Sequence, residues 1–298
     1  KGWSSVDDIR EGRAHRNTWG VTACDLDGDG RPELLSSVYG RYFNALWQGG
    51  DGGYVDASMA SGFAADEDLD WTTNLNAQCY CKLHPDAPDC AGVPAPPSYF
   101  GCSPTATLRW DHDYDREAWR LGGNTFTTAC GDMDNDGDMD LVNFEIQHWD
   151  VGSSSDATQV LYNDGAAVLH FTRPGVDATG LSRDWDGKDW NAGDMTGAIF
   201  DFDNDGRQDL LIGSSDYPGT RAFLFRQRAD GTFEEVPAAL GIDHPRSHGV
   251  AVADLDADGD LDVVLGHGTS RCSGDPSCYA TAEVHAFRND LGQDGNWL

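Results

Sequence analysis

Apolar positions along the chain come in short β-branched or aromatic runs, broken every few residues by turns of Gly and Asp. That is the rhythm of strands rather than of helices. The runs recur in groups. One opens each group: "NTWGVTAC" (17–24), "NTFTTAC" (124–130), "MTGAIF" (195–200) and "HGVAVA" (248–253). A polar insert follows, and then a second run: "ELLSSVYG", "DLVNFEI", "DLLIGSS" or "DVVLGHG". A third run closes on "NALWQGGDG", "TQVLYNDG", "AFLFRQRADG" and "AEVHAFRND", and the first three groups add a fourth run ending in a small loop. Four strands per unit, repeated radially, predict an all-β fold of the β-propeller type, with four blades preferred and room for a degenerate fifth.

The whole chain, 1–298, reads as one domain with repeats at about 15–63, 124–181, 191–242 and 246–298. Between the first two lies an insertion, about 64–123, with Cys79, Cys81, Cys90, Cys102 and the Pro-rich "GVPAPPSYFG". Within it "WTTNLNAQCYCKL" alternates like a strand, which is where a fifth blade would sit. A second hairpin is missing, so a disulfide-stapled excursion is the preferred reading. The fourth unit stops after its third run. Either the N-terminal "KGWSSVDDI" completes it and closes the ring, or further domains follow. The first residue is Lys1, so the sequence is expected to be a mature or excised piece of a longer precursor.

The polar insert changes the picture most. Written D-x-D-x-D-G-x-x-[DE], it occurs four times. Carboxylates at positions 1, 3 and 5 point inwards, Gly at 6 allows the reversal, the carbonyl of 7 turns in, and the acid at 9 closes a cage. Such a set supplies the six or seven hard oxygens that Ca²⁺ takes at ~2.4 Å. The expected ligands are Asp25, Asp27, Asp29, the carbonyl of Arg31 and Glu33 in the first copy. In the second they are Asp132, Asp134, Asp136, the Asp138 carbonyl and Asp140. The third uses Asp201, Asp203, Asp205, the Arg207 carbonyl and Asp209; the fourth uses Asp254, Asp256, Asp258, the Asp260 carbonyl and Asp262. About four calcium ions are expected. An EF-hand would need Glu at position 12 and helical flanks, whereas position 12 is Ser36, Asn143, Ile212 or Leu265 and the flanks are strands.

Composition narrows the partners. With 51 acidic and 20 basic residues the formal charge is −31, so nucleic acid and anionic membranes are poor partners. Of the acids 43 are Asp, a bias that suits tight oxygen cages. No run reaches the ~18 apolar residues of a membrane span. Eight cysteines, none in a C-x-x-C pair, predict disulfides in an oxidising compartment. Cys272 and Cys278 flank a Gly-Asp-Pro turn and are expected to pair. Cys24 and Cys130 precede two equivalent loops and are candidates for a bridge between blades. The other four should pair within the insertion, with open connectivity.

The loops and their flanks resemble FG-GAP or VCBS-type repeats, the calcium hairpins of integrin-like propellers. The phrase "GVAVADLDADGDLDVVLGHG", followed by "HAFRNDLGQDGNWL", is similar to the cartilage acidic protein (ASPIC/UnbV) group. That resemblance implies secretion or a cell-surface location, calcium, and adhesion or carbohydrate contact. No nucleophile elbow, zinc-protease or P-loop phrase occurs, and the nine His form no ligand-spaced pair, so catalysis has no positive sign. The expected function is a calcium-binding adhesion, scaffold or self-assembly module acting on an extracellular protein or glycan. The alternatives are a calcium-dependent lectin and, last, a polysaccharide-degrading enzyme. Residues just before the first strands (His15, Arg16, Asn17, Asn124, Trp190, Asn191, Arg246 and His248) are candidates for a ligand face.

Overall fold

A computed structural model of the chain describes residues 17–104, 109–152, 155–166, 168–183, 191–274, 276 and 278–290. The fold is all-β. The first unit is a four-stranded antiparallel meander of β1 (Thr18–Cys24), β2 (Glu33–Val38), β3 (Ala45–Gln48) and β4 (Val55–Asp56). The second comprises β5 (Thr125–Gly131), β6 (Asp140–His148), β7 (Gln159–Asn163) and β8 (Phe171–Thr172), and the third β9 (Asn191–Phe200), β10 (Asp209–Ser214), β11 (Phe223–Gln227) and β12 (Phe233–Val236). The fourth has three strands, β13 (Ser247–Ala253), β14 (Asp262–His267) and β15 (Glu283–Phe287).

The inner strands β1, β5, β9 and β13 pack side by side in that order. A long β6 continues past its own unit and pairs with β9 (Ile146 opposite Gly193, Gln147 opposite Ala192), fusing units two and three into one curled eight-stranded sheet. Among the described residues β13 does not pack back on β1 as each inner strand packs on its predecessor. The observed architecture is therefore an arc of four strand units arranged in three sheets among the described residues. Residues 1–16 and 291–298, which carry the expectation of ring closure through "KGWSSVDDI", lie outside the described residues, as do His15, Arg16 and Trp190.

Burial follows from the arc. In β6, Leu141 faces the first unit, joining Leu26, Leu35, Leu46 and Phe63, while Val142 faces the third, joining Leu210, Ile212 and Phe225. In β10, Leu210 and Leu211 divide likewise between the second and fourth units. Strands buried on both faces read as continuous apolar runs, whereas the end strands β13 and β15 alternate. Trp19 and Val21 on β1 and Val284 on β15 stay exposed because no further sheet covers them among the described residues. Gly197 is required at its position: a Cβ there would meet the Phe144 ring at 2.1 Å.

A repeated clamp links the units. The residue at or just past the end of strand three donates its side-chain amide to the loop of the preceding unit. Asn163 Nδ2 reaches the Leu26 carbonyl at 2.7 Å, Gln227 Nε2 that of Met133 at 2.6 Å, and Asn289 Nδ2 that of Phe202 at 2.5 Å. The disulfide Cys24–Cys130 ties β1 to β5.

The insertion corrects one expectation. "WTTNLNAQCYCKL" is a single 3₁₀ turn followed by helix α1 (Leu75–Leu83), not a strand, and no strand lies between Asp56 and Thr125 among the described residues. Asn74 decides this locally: its Oδ1 accepts the N–H groups of Asn76 and Ala77, an N-cap that the alternating pattern concealed. Cys79–Cys102 and Cys81–Cys90 staple the helix to the segments after it, and Cys272–Cys278 closes the expected local loop. The fifth blade is therefore absent from the described part of the insertion.

Candidate metal loops

All four acidic phrases form the same tight reversal between strands one and two of their unit. Position 4 is left-handed in every copy: Gly28, Asn135, Asn204 and Ala257 have φ of 68°, 59°, 56° and 61°. Position 6 is Gly in each, with φ of 85–100°. The position 1 carboxylate accepts the N–H of that Gly in every loop: Asp25 from Gly30, Asp132 from Gly137, Asp201 from Gly206 and Asp254 from Gly259, at 2.7–3.2 Å. The position 5 carboxylate accepts the N–H of position 7, at 2.8–3.0 Å, for Asp29, Asp136, Asp205 and Asp258.

The position 9 acids lie deepest. Glu33, Asp140 and Asp209 are fully buried and Asp262 nearly so. One oxygen of each accepts the N–H of position 2 (Leu26, Met133, Phe202 or Leu255). The other accepts the N–H of Gly49, Asn163, Gln227 or Asn289, where the third strand ends. This acid thus fastens the loop to the sheet, and each oxygen keeps a second lone pair directed elsewhere.

In the first three loops acid oxygens converge closely enough for one ion. Asp25, Asp27 and Asp29, then Asp132, Asp134 and Asp136, then Asp201, Asp203 and Asp209 each place one oxygen within 4.8 Å of the others. Crowding shows in their protonation. Burial, and then neighbouring loop carboxylates, raise Asp134, Asp203 and Asp256 above the usual range. Burial pushes Asp140 up to about 6 and Asp209 to about 7. Arg226 offsets part of this on the third loop, at 2.7 Å from Asp203 Oδ2, yet Asp203 Oδ1 is buried without a partner. All-oxygen donors, mutual repulsion and an orphaned carboxylate oxygen suit a hard divalent cation. Neighbouring loops also touch: Asn135 Nδ2 donates to the Gly206 carbonyl, and Asn204 Nδ2 to Asp260 Oδ1.

The candidates for a ligand face separate. Asn124 is buried; it accepts the N–H groups of Gly40 and Arg41 and donates to the Ile146 carbonyl. Arg246 is fully buried and donates to the Ser270 carbonyl. These are structural ties. What the pattern of residues concealed is a second acidic group. Glu145 on β6 and Asp156 are buried side by side. Glu145 Oε1 accepts from Thr125 at 2.6 Å, whereas Glu145 Oε2 and Asp156 Oδ1 have no partner. Asp66 donates its backbone N–H to Asp156, whose other neighbour is Arg173, 3.6 Å away. Beneath Glu145, Thr158 donates to Asp194, itself held by Arg183.

Burial, followed by the mutual charge of the pair, raises Glu145 well above its ordinary value; burial and Asp66 push Asp156 to about 7. Because the folded values lie above the unfolded ones, the native state keeps protons that the unfolded state releases. The resulting stabilisation is fully present below pH ~4 and is lost as the pH rises through about 7. Glu145→Gln is therefore expected to flatten the decline in stability between pH 5 and 8, by up to about 1.4 kcal/mol per pH unit. Denaturant titrations across that range check this; parallel curves for the two proteins would show that the pair does not share a proton. The pair is sealed from solvent, out of reach of any sugar.

Residues 201–265 match the FG-GAP-like repeat family. Human cartilage acidic protein 1 is 49% identical over 47 residues, which is 15% of this chain and 7% of that protein. Its Xenopus tropicalis counterpart is 35% identical over 66 residues, 22% of this chain and 10% of that protein. The similarity thus spans a tenth or less of those relatives. An Agrocybe aegerita lectin, solved for its recognition of non-reducing terminal N-acetylglucosamine, aligns with 93% of this chain and 67% of its own at 15% identity. Its TM-score of 0.32 is too low to carry an argument. The resemblance read from the acidic loops holds: the chain contains an FG-GAP-like repeat and shares sequence with the cartilage acidic protein group.

Proposed function

We propose that the protein is an extracellular, calcium-binding propeller-type module whose role is binding or scaffolding. The observation that carries this is the loop frame. Four loops share one hydrogen-bonded geometry with position 9 locked to the sheet, and in the first three of them three acid oxygens gather around a common centre. Asp25, Asp27, Asp29 and Glu33, with their counterparts in the other loops, would hold the ions, which would supply the positive charge that the loops lack. Four disulfides fit an oxidising, calcium-rich exterior. No helix among the described residues is long and apolar enough to cross a membrane.

An arc of four strand units is compatible with a four-bladed ring, and closure of that ring belongs to the same proposal. A scaffold should self-associate or bind extracellular matrix in millimolar calcium and release in EDTA. Light scattering that finds only monomers, together with no matrix retention in calcium, removes the scaffold reading. A glycan-binding role is the second reading. It is favoured by a groove of ≈ 430 Å³ lined by Asp66, Glu67, Asp68, Gln159, His170 and Arg173, whose donors and acceptors suit sugar hydroxyls. A glycan array probed with and without calcium separates the two.

A further inference from the structure

Arginines gather at the end of the sheets opposite the acidic loops. Strand β2 starts at the loop acid Glu33 and ends at Val38, and Tyr39, Gly40 and Arg41 follow it. Its six residues put about 20 Å between the two ends. There a cavity of ≈ 270 Å³ is lined by Tyr39, Arg41, Asn76, Arg109, Arg120 and His148, drawn from the first unit, the insertion and the second unit. Segments of the other two units stand beside it. The Tyr217 hydroxyl, after β10, is 3.4 Å from His148 Nε2. Arg271, after β14, lies over the Tyr217 ring at 4.5 Å and pairs with Asp216 at 3.5 Å. The chain has 20 basic residues against 51 acidic ones, so four arginines in one mouth reverse its general charge balance locally.

The lining arginines are held in different ways. Gly40 and Arg41 are both left-handed, with φ of 106° and 58°, a strained state for a long side chain. Asn124 fixes it, because its Oδ1 accepts both N–H groups at 3.0 Å. Arg120 donates to the Gly40 carbonyl at 2.8 Å and to Asp115 at 2.9 Å, and its guanidinium lies 4.4 Å from the Tyr42 ring centroid. Arg41 reaches the other Asp115 oxygen at 3.2 Å, so two guanidinium groups share one carboxylate. Arg109 is exposed at the rim. Asn76 Oδ1 accepts its backbone N–H at 3.3 Å, while Asn76 Nδ2 donates to Asp150 Oδ2 at 2.8 Å. The Arg109 guanidinium has no ion-pair partner among the described residues. Three guanidinium groups thus face the two carboxylates of Asp115 and Asp150.

Burial holds Arg41 below its ordinary value although Asp115 pulls it up, so this cation is short of negative charge. Burial, then Tyr217, raises the Tyr39 hydroxyl, and Arg271 and Arg109 draw it back, which sets both cations around it. We propose that this cavity binds the carboxylate of an acidic sugar residue, a hexuronate, with Arg41 and Arg109 as the partners of that carboxylate. A guanidinium fork matches a carboxylate in plane and spacing. The carboxylate alone would leave most of the ≈ 270 Å³ unfilled, and the phenol of Tyr39, the imidazole of His148 and the amide of Asn76 suit ring hydroxyls. An extended polyanion fits poorly, because a chain of charge −31 repels it; one charged unit at a glycan end does not meet that barrier. The site is distinct from the groove of Asp66 and Arg173 and uses no ion of the loops.

The full chain, held in millimolar calcium that is matched in ligand and protein solutions, is titrated calorimetrically with glucuronate. A second titration uses glucose, the same ring with a hydroxymethyl group in place of the carboxylate. Glucuronate is expected to bind at one site, more weakly as salt rises, and glucose about 10-fold more weakly or worse. Arg109→Gln, at an exposed and unpaired position, should weaken glucuronate about 10–100-fold while calcium-dependent melting stays as in the parent. Arg109→Lys, which keeps the charge without the fork, should fall between the two. No saturable binding of glucuronate overturns the proposal, and so does equal affinity for glucose. Glucuronate binding that Arg109→Gln leaves unchanged overturns it as well, since the carboxylate is then held elsewhere, as by an ion in the loops.

Discussion

Stripping calcium with excess EDTA is expected to lower the melting temperature by roughly 20 °C or more. Each ion bound at 100–1,000 times its dissociation constant would stabilise the fold by ~3–4 kcal/mol, and at this size each kcal/mol shifts the midpoint by about 1.6 °C. The effect is large because the loops do two things at once. They bury carboxylates close to one another, and burial first, then the neighbouring acids, raise Asp134, Asp140, Asp203 and Asp209. They also contact one another, Asn135 to Gly206 and Asn204 to Asp260, so loosening one loop weakens the junction with the next. Thermal melts in calcium and in EDTA, with bound metal counted by mass spectrometry, decide it. An unchanged melt and no metal would make the repeats acidic turns and remove calcium from the proposed function. In the intact case, Asp205→Ala should lower the count by one ion.

Replacing Cys24 and Cys130 by serine is expected to cost about 4–5 kcal/mol, because their bridge closes a loop of 106 residues and so restricts the unfolded chain strongly. Losing Cys272–Cys278, whose loop spans 6 residues, should cost clearly less. The long bridge joins the ends of two neighbouring inner strands and lies against the core of Leu26, Leu35 and Leu141. Close by, Thr22 Oγ1 donates to the Thr128 carbonyl at 2.6 Å and Ser37 hydrogen-bonds Thr128 at 2.8 Å. Those contacts should keep the first two units packed in the variant, so the loss is read as a lower denaturant midpoint with native-like spectra. Equal losses for the two bridges would contradict the loop-length account.

What the order of residues determined by itself is what is local. A D-x-D-x-D-G loop closes within nine residues, so the left-handed positions at Asn135 and Asn204, the glycine after them and the buried last acid all follow from neighbours in the chain. Strand runs and the pairing of Cys272 with Cys278 were legible for the same reason. The helix at Leu75–Leu83 was not, because a single side chain, Asn74, decided between helix and strand where the apolar pattern suited both. Only the tertiary structure decided what lies across unit boundaries. Asn163, Gln227 and Asn289 look like ordinary strand ends until each is seen clamping the loop of the unit before it. Glu145 and Asp156 share the β6–β7 hairpin, yet their raised protonation appears only once packing buries them, since burial is a property of the assembled arc and not of any window along the chain.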